Sequence, residues 1–374
     1  MKRLIIIALL AAWPLFAGAE ESDDAQADDA AEEESRFGNF LAIPLVVTEP
    51  AIGEGLGGGL VYFHRDGDRD RPRVTSASKL AKTNQKQTPP PTATGLLGVY
   101  TTNDTWAAGI GHSRTFNDDS WRMIGALARA RINAKIYLAD NPFRFTLDGS
   151  VLYLNAKNRI GESPWFIGTS LSIADADATF DISPGNPARG ILPDFSFTDV
   201  GVAAMGIYDT RDDTMMPESG QLVDLTVWRY DEAIGGDFGY TTARLKANSF
   251  HRFAEKFVVG FRLEVGSAGG DVPFYAQPFV PLRGVPALRF QGDVAGVAEI
   301  EGRYRFAERW AGIAFAGAGF VDDIDPTVAT EEDINAWGVG VRFLALRGEN
   351  VWLGLDYARG PEEDAYYVQL THPW

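Results

Sequence analysis

Apolar and polar residues alternate with a period of two along most of the chain. In residues 257–266 every odd-numbered position is apolar, whereas the even-numbered positions include Arg262 and Glu264. Residues 351–358 repeat the alternation, with Asp356 on the more polar face. A period of two is typical of β-strands with one apolar face, because a helix repeats every 3.6 residues. The pattern therefore predicts an all-β protein.

Several of these alternating segments are long. Outer-membrane strands have about ten alternating residues, whereas strands of soluble sandwiches mostly have about five or six. The length favours a membrane barrel over a soluble sandwich, which also alternates. In such a barrel the apolar face contacts lipid and the polar face lines the lumen. The charged residues that we expect in the lumen are Arg129, Arg131, Lys135, Arg244, Lys246, Arg262, Glu264 and Asp356.

The alternation and the turn residues predict a 16-stranded antiparallel transmembrane β-barrel. The predicted strands are 40–48, 54–64, 95–102, 105–116, 121–137, 143–156, 164–175, 198–210, 221–231, 238–250, 256–266, 293–307, 309–321, 335–346, 350–359 and 365–374. An even number of strands suits a single-chain bacterial barrel, with short periplasmic turns and long external loops. The connection over 65–94 breaks this rule, because it is a long segment on the periplasmic side.

The N-terminal residues predict export. Residues 1–19 comprise a basic start, an apolar run from Leu4 to Phe16 and a small-residue end, which is the pattern of a cleaved signal peptide. A retained anchor is the alternative. Residues 20–38 are predicted to be an acidic disordered linker, because nine acids and no base lie between 20 and 34. The barrel domain then covers residues 39–374, and we expect it in the outer membrane of a Gram-negative-type bacterium.

The last predicted strand, 365–374, ends the chain on an aromatic residue. Tyr366, Val368, Leu370, His372 and Trp374 share one face of it if the strand is regular. Such an ending resembles the C-terminal sorting signal of outer-membrane proteins, although His372 stands where an aromatic residue is usual. A soluble edge strand at the end of the chain is the alternative.

Composition narrows the possible functions. The formal net charge is −17, so no basic surplus exists to attract nucleic acid. The chain has no cysteine, which excludes thiolate zinc sites and cysteine nucleophiles. Its four histidines are scattered and no hydrolase or phosphate-loop motif occurs, so we expect no enzyme activity, no cofactor and no catalytic or metal site. Asp209, Asp212 and Asp213 are better interpreted as a turn cluster than as a calcium loop.

Three motifs occur in order along the predicted barrel. Residues 42–57 open it, and the second motif is a turn with Asp209, Arg211 and Asp212 followed by Pro217 and Gly220. The third is an Arg-Gly pair at 283–284, followed by the strand that begins near residue 293. Together they resemble the BamA/TamA family of outer-membrane proteins, also called the bacterial surface antigen family. The Arg-Gly loop joins predicted strands eleven and twelve, which is its place in that family.

The resemblance implies that the loop folds into the barrel and that Arg283 contacts acids on the inner wall. Alternation places Glu299 and Glu301 on one face of strand twelve, so they are available partners. Gly284 lets the backbone turn where a Cβ would clash. Family members usually carry an aspartate on strand thirteen where this chain has Gly317, so we expect the lock to rely on strand twelve. The alternative is an ordinary surface loop.

The resemblance also implies a lateral gate between the first and last strands. Pro44 lacks an N–H donor, and Pro373 stands near Trp374 at the other side of the expected seam. The alternative is that both prolines lie at strand ends, where they cost little.

The family inserts or translocates outer-membrane components. Family members normally carry periplasmic POTRA domains, and only about 20 residues separate the predicted cleavage site from strand one. The resemblance therefore implies a barrel without POTRA domains that contacts outer-membrane lipid and works with a protein partner or substrate. A diffusion channel and a surface-exposed structural or adhesin barrel are the alternatives.

Overall fold

The structure is a computed structural model that describes residues 40–49, 52–64, 90, 92–138, 141–180, 194–322, 334–346, 350–362 and 364–374. The predicted signal peptide, the acidic linker and most of the 65–94 connection lie outside these residues. The described strands are β1 (Phe40–Glu49), β2 (Gly53–Phe63), β3 (Ala93–Thr101), β4 (Trp106–Phe116), β5 (Trp121–Leu138), β6 (Asn141–Arg159), β7 (Trp165–Phe180), β8 (Phe195–Asp209), β9 (Gly220–Tyr230), β10 (Tyr240–Ala254), β11 (Phe257–Gly270), β12 (Val294–Ala307), β13 (Trp310–Asp322), β14 (Ile334–Leu346), β15 (Val351–Arg359) and β16 (Asp364–Leu370).

Each strand pairs antiparallel with the next in one 16-stranded sheet. The sheet curls into a nearly closed barrel, so the predicted fold is confirmed. β1 and β16 lie side by side, but within the described residues no hydrogen-bonded ladder joins them. We call this line of contact the seam. In the same described residues, no helix is long and apolar enough to cross a membrane.

The two faces of β12 show how the wall is built. Ile300, Tyr304 and Phe306 are exposed on the outside, where 45–54% of each side chain is accessible. Glu299 and Glu301 point inward and are buried. An apolar outer belt with polar residues inside is the arrangement of a membrane barrel, as the alternation predicted.

The prediction for Arg129 and Arg131 was wrong, because both side chains point outward. They are 60% and 52% exposed, whereas Ala130 and Ile132 point inward and are buried. β5 is 18 residues long, and its outer face is apolar only as far as Leu127. The strand therefore extends beyond the lipid belt, where the outer face meets water and the polarity of the two faces reverses. The side chain of Lys135 lies outside the described residues.

Where the strands extend beyond the lipid belt, the inside of the barrel is apolar. We call the rim where β1 begins the terminal rim and the opposite one the distal rim. Towards the distal rim, inward residues of β5–β10 form an aromatic-rich cluster with residues of the β11–β12 connection. Its buried members are Ala130, Ile132, Ala134, Phe145, Leu147, Ala176, Ala178, Phe180, Phe197, Tyr230, Tyr240, Tyr275, Ala276 and Leu288. This cluster fills the distal part of the barrel.

The last strand is shorter than predicted. β16 ends at Leu370, and Thr371 has a φ of 61°, which turns the chain out of the strand. His372 and Trp374 are buried, whereas Tyr366 is 53% exposed, so these residues do not share a face. The expectation of one regular strand to Trp374 was therefore wrong, because the left-handed residue at 371 directs the end of the chain into the lumen.

Candidate functional site

The β11–β12 connection, residues 271–293, folds into the barrel. A short 3-10 turn at Phe274–Ala276 places Tyr275 in the distal cluster. Further along, the apolar residues of the connection pack on the inner walls of β12 and β14; this second cluster contains Val280, Leu282, Val285, Phe290, Ala295, Val297, Ile334 and Ala336. Burying apolar side chains of about this size stabilises the inward position by roughly 1.5–3 kcal/mol for each one that is fully buried.

Arg283 lies at the centre of this connection and contacts three carboxylates. Its Nε donates to Glu299 Oε1 at 2.7 Å, its Nη2 donates to Glu301 Oε2 at 2.9 Å, and its Nη1 donates to Asp356 Oδ2 at 3.2 Å. The Arg283 side chain is only 8% exposed and the three acids are almost fully buried. The structure thus brings Arg283, Glu299 and Glu301 together, as the sequence suggested, and adds Asp356.

Two further arginines balance these acids. Arg262 Nη1 donates to Glu299 Oε2 at 3.2 Å, and Arg342 Nη2 donates to Asp356 Oδ2 at 2.9 Å. Burial by itself lowers the pKa of Arg283, but Glu301, Glu299 and Asp356 together raise it above the ordinary value. The arginine therefore stays charged inside the barrel, where a pair of this kind is far less screened than a surface pair.

Two aromatic rings lie beside the Arg283 guanidinium. The Arg283 guanidinium carbon lies 3.5 Å from the centre of the Phe315 ring on β13. The Trp374 ring lies 5.8 Å from the same carbon. A guanidinium over an aromatic face gains electrostatic energy, and more so when it is desolvated.

Gly284 follows in the conformation that the sequence predicted. Its φ is 90°, and an added Cβ would lie 2.9 Å from the backbone nitrogen of Gly360. Its N–H donates to the Tyr367 hydroxyl at 2.9 Å, which ties the loop to β16. Close approach and a positive φ both require glycine here.

The expectation that the lock relies on strand twelve alone was wrong. Asp356 on β15 supplies a third carboxylate, and Gly317 lies where a side chain would collide with Leu282, 2.6 Å from an added Cβ. Alternation placed Asp356 in the lumen, but its partner could not be inferred. Through Arg283, the loop joins acids of β12 and β15 across the lumen.

The β8–β9 turn motif also builds defined structure. Asp209 accepts from Arg211 Nε at 2.9 Å and from Arg122 Nη1 at 3.3 Å. Asp212 Oδ1 accepts the backbone N–H groups of Glu218 and Ser219 at 3.0 and 3.2 Å. Carboxylates that satisfy backbone donors explain this acid-rich turn.

Local geometry explains two more residues of the turn, Asp213 and Gly220. Burial raises the pKa of Asp213, whose Oδ1 accepts from Met215 and Met216 N–H groups at 2.7 Å. Gly220 has a φ of 97°, and an added Cβ would lie 2.2 Å from the Thr210 carbonyl oxygen. The turn therefore requires glycine where β9 begins.

The turn reaches across the terminal rim. Arg303 Nη2 on β12 donates to the Pro217 carbonyl oxygen at 2.6 Å. Glu218 pairs with Arg305 at 2.5 Å and also with Arg252. The Met215 carbonyl oxygen accepts the His372 N–H at 3.0 Å, so the turn also contacts the end of the chain. The same turn thus links β8–β9 with β12 and the C-terminal residues.

The two residues predicted at the seam have different positions. Pro44 lies in β1, opposite Gly58 of β2, on the strand that borders the seam. Trp374 does not line the seam: it packs against Phe250 and His372 inside the barrel, with ring centres 6.3 and 4.8 Å apart. The turn at Thr371 is the physical reason for this correction.

The comparison with protein families gives a match over the middle of the chain. The sequence profile of the Omp85 superfamily domain matches residues 153–280, which include the β8–β9 turn. The chain is thus similar to the Omp85 superfamily over residues 153–280. The resemblance to the BamA/TamA family is thereby confirmed at the level of this superfamily.

Solved structures of Omp85 barrels have the same fold. BamA from Haemophilus ducreyi lacking POTRA domains 1–3 has 13% identity and a TM-score of 0.57, covering 89% of this chain and 70% of that one. CdiB from Acinetobacter baumannii has 9% identity and a TM-score of 0.54, with 88% and 58% covered. CdiB from Escherichia coli has 11% identity and a TM-score of 0.56, with 88% and 62% covered. The chain thus spans about three fifths of each CdiB. No curated protein sequence gives a significant match.

Proposed function

We propose that this Omp85 barrel inserts or translocates outer-membrane proteins through the β1–β16 seam, in a Gram-negative-type outer membrane and without enzymatic chemistry. The observation that carries the proposal is the open end of the sheet. The hydrogen-bonded order runs from β1 to β16, and within the described residues no ladder joins those two strands.

A strand edge without hydrogen-bond partners is energetically unfavourable in lipid, and another strand can pair with it. Each backbone polar group without a partner in the hydrocarbon region costs several kcal/mol. A strand that adds to an open edge supplies those partners. Pro44 removes one donor from β1, which weakens direct closure of the seam at that position. The edge therefore favours the entry of a substrate strand.

The seam is also the shortest part of the wall. β16 has 7 residues and β15 has 9, whereas β6 has 19. Seven residues span about 20 Å along the strand, and less across the membrane at a tilt of about 40°, against an apolar band of about 25 Å. Lipid must thin beside a wall that is too short, so opening disturbs the bilayer least there.

We also infer that the barrel works with a protein partner. The fold is shared with BamA and CdiB, and the resemblance to their superfamily supports a role that involves a second protein. The β8–β9 turn and the last residues of the chain lie together at the terminal rim, which is one place where a partner could contact both.

Cross-linking tests the gate. Cysteines in place of Ala42, near the start of β1, and of Val368, near the end of β16, or of Tyr366 before it, should join the two end strands when they are oxidised. We expect assembly of outer-membrane proteins, measured in cells that depend on this protein, to fall on oxidation and to recover with a reductant. The matched control is a cysteine pair at Leu60 and Leu96, which face each other across the existing β2–β3 ladder and should leave assembly unchanged.

Two results would count against the proposal. One is a seam cross-link of high yield with unchanged assembly. The other is an equal loss of assembly in the Leu60–Leu96 control, because locking an existing ladder cannot block a gate elsewhere.

A further inference from the structure

An apolar groove crosses the outer wall near the seam. Its volume is about 780 Å³, and it is lined by residues of β1–β6. Gly58, Gly98 and Ala108 face one another in register across β2, β3 and β4 and form its floor. Their small size makes the wall thin along this row.

Large apolar residues form the side of the groove towards the terminal rim. Leu60, Leu96, Ile110 and Leu127 occupy the neighbouring row in register, and 44–53% of each side chain is accessible. These side chains belong to the lipid-facing belt. The groove is therefore continuous with the surface that lipid already covers, and an acyl chain fits its chemistry.

The row of the floor continues into a polar surface. Ala108 pairs with Arg129, Arg129 with Ser150, Ser150 with Asp175 and Asp175 with Thr198, across β4 to β8. The next outward-facing row towards the distal rim contains Arg131, Asp148, Asp177 and Ser196. We call these residues of β5–β8 the polar wall. One continuous row thus changes from apolar at β2–β4 to polar at β5–β8.

Two arginines meet where the groove joins the polar wall. Arg129 Nη2 and Arg131 Nε each donate to Asp148, both at 2.9 Å, so two guanidinium groups share one carboxylate. Arg129 Nη1 also donates to Ser150 at 3.2 Å. Each guanidinium has five N–H donors, so several stay available for a phosphate.

The acids beside them select the ligand. Asp175 and Asp177 repel a bare phosphate, but their oxygens accept hydrogen bonds from hydroxyl groups, as they do from Thr198 and Ser196. We propose that the groove and the polar wall bind a phosphorylated glycolipid of the outer leaflet. Its acyl chain lies in the groove, its phosphate contacts Arg129 and Arg131, and its sugar hydroxyls meet Asp175 and Asp177.

Binding of lipid A to the refolded full chain in detergent micelles tests the proposal, with native mass spectrometry as the measurement. We expect the double variant Arg129→Gln, Arg131→Gln to weaken binding about tenfold, because the phosphate loses its charged donors. Gly98→Leu fills the groove and should weaken binding as well. An added Cβ at Gly98 has only the Ala107 carbonyl oxygen within 4 Å, at 3.9 Å, so this variant should fold.

A control arginine and a second lipid make the outcomes decisive. Arg229→Gln changes an equally exposed arginine, paired with Asp231 outside the polar wall, and should leave binding unchanged. Asp175→Ala with Asp177→Ala should weaken lipid A binding; tighter binding would overturn the role of the sugar. Equal binding of phosphatidylglycerol, or wild-type binding by the double arginine variant or by Gly98→Leu, would overturn the proposed site.

Discussion

At the scale of single residues, Arg283 holds the inward loop by balancing buried charge. Glu299 and Asp356 have Arg262 and Arg342 as additional ion-pair partners. Among the described residues, the ion pairs of Glu301 are those with Arg283 and with His372, whose Nε2 lies 3.3 Å from Glu301 Oε1. Loss of Arg283 therefore leaves Glu301 the least compensated of the three acids. A buried charge without its partner costs far more than the pair contributes when it is intact.

Arg283→Ala should lower the free energy of unfolding by about 3–5 kcal/mol, because it leaves buried carboxylates uncompensated. Urea unfolding of the barrel in lipid vesicles, followed by tryptophan fluorescence, measures the change. The matched control is Arg229→Ala, whose pair with Asp231 is half exposed and should contribute at most about 1 kcal/mol. Equal effects of the two substitutions would show that Arg283 is an ordinary surface residue.

Gly284→Ala should destabilise the barrel by about 1–3 kcal/mol, because the residue has a φ of 90° and its Cβ would crowd Gly360. The same urea experiment measures this loss. Gly206→Ala on β8 serves as the control, since its φ is ordinary and no atom lies within 4 Å of an added Cβ. A Gly284→Ala protein as stable as Gly206→Ala would contradict the argument.

Alternation was sufficient to place single residues on the correct face where the strand lies within the membrane. It put Glu299, Glu301 and Asp356 inside the barrel, and all three are buried there. It failed for Arg129 and Arg131, because a period of two shows which residues share a face but not which face is inside. That assignment depends on where the strand leaves the lipid, which local sequence does not show.

At the scale of elements, the β8–β9 turn acts as a clamp across the terminal rim. Asp212 orders the turn, and Pro217 and Glu218 then meet Arg303 and Arg305 of β12. The strand that carries Glu299 and Glu301 is thereby also held near the terminal rim. The clamp and the loop both act on β12.

Asp212→Ala should loosen this clamp, because the N–H groups of Glu218 and Ser219 lose their acceptor. We expect a loss of about 1–3 kcal/mol in stability and faster proteolytic cleavage between 210 and 220. Limited proteolysis of the barrel in vesicles measures the cleavage. Glu162→Ala, in the exposed β6–β7 turn, is the control and should be cleaved like the wild type. Unchanged cleavage of the Asp212→Ala turn would show that it needs no carboxylate.

The elements themselves were largely predictable, since all sixteen strands occur where the alternation placed them. The end of β16 was not predictable, because nothing in residues 371–374 indicates that Thr371 has a left-handed conformation. The contacts of His372 and Trp374 with the loop and the turn depend on that single residue. They also depend on which parts of the chain already fill the lumen.

At the scale of the whole molecule, the β11–β12 connection fills the lumen at two places. Tyr275 and Leu288 belong to the distal cluster, and Val280, Leu282 and Val285 pack on β12 and β14. Along the chain, Arg283 lies within the set that packs on β12 and β14, and Tyr275 and Leu288 flank that set. Loss of the Arg283 ion pairs should therefore release the loop from both clusters and open the lumen. A channel that has only a small internal constriction would not respond in this way.

Planar-bilayer conductance of the wild type against Arg283→Ala tests this account most directly, with Arg229→Ala as the control. We expect the wild type and the control to show low conductance, because the loop fills the lumen, and Arg283→Ala to show frequent larger openings. A large, steady wild-type conductance that Arg283→Ala leaves unchanged would contradict the closed barrel and favour a diffusion channel.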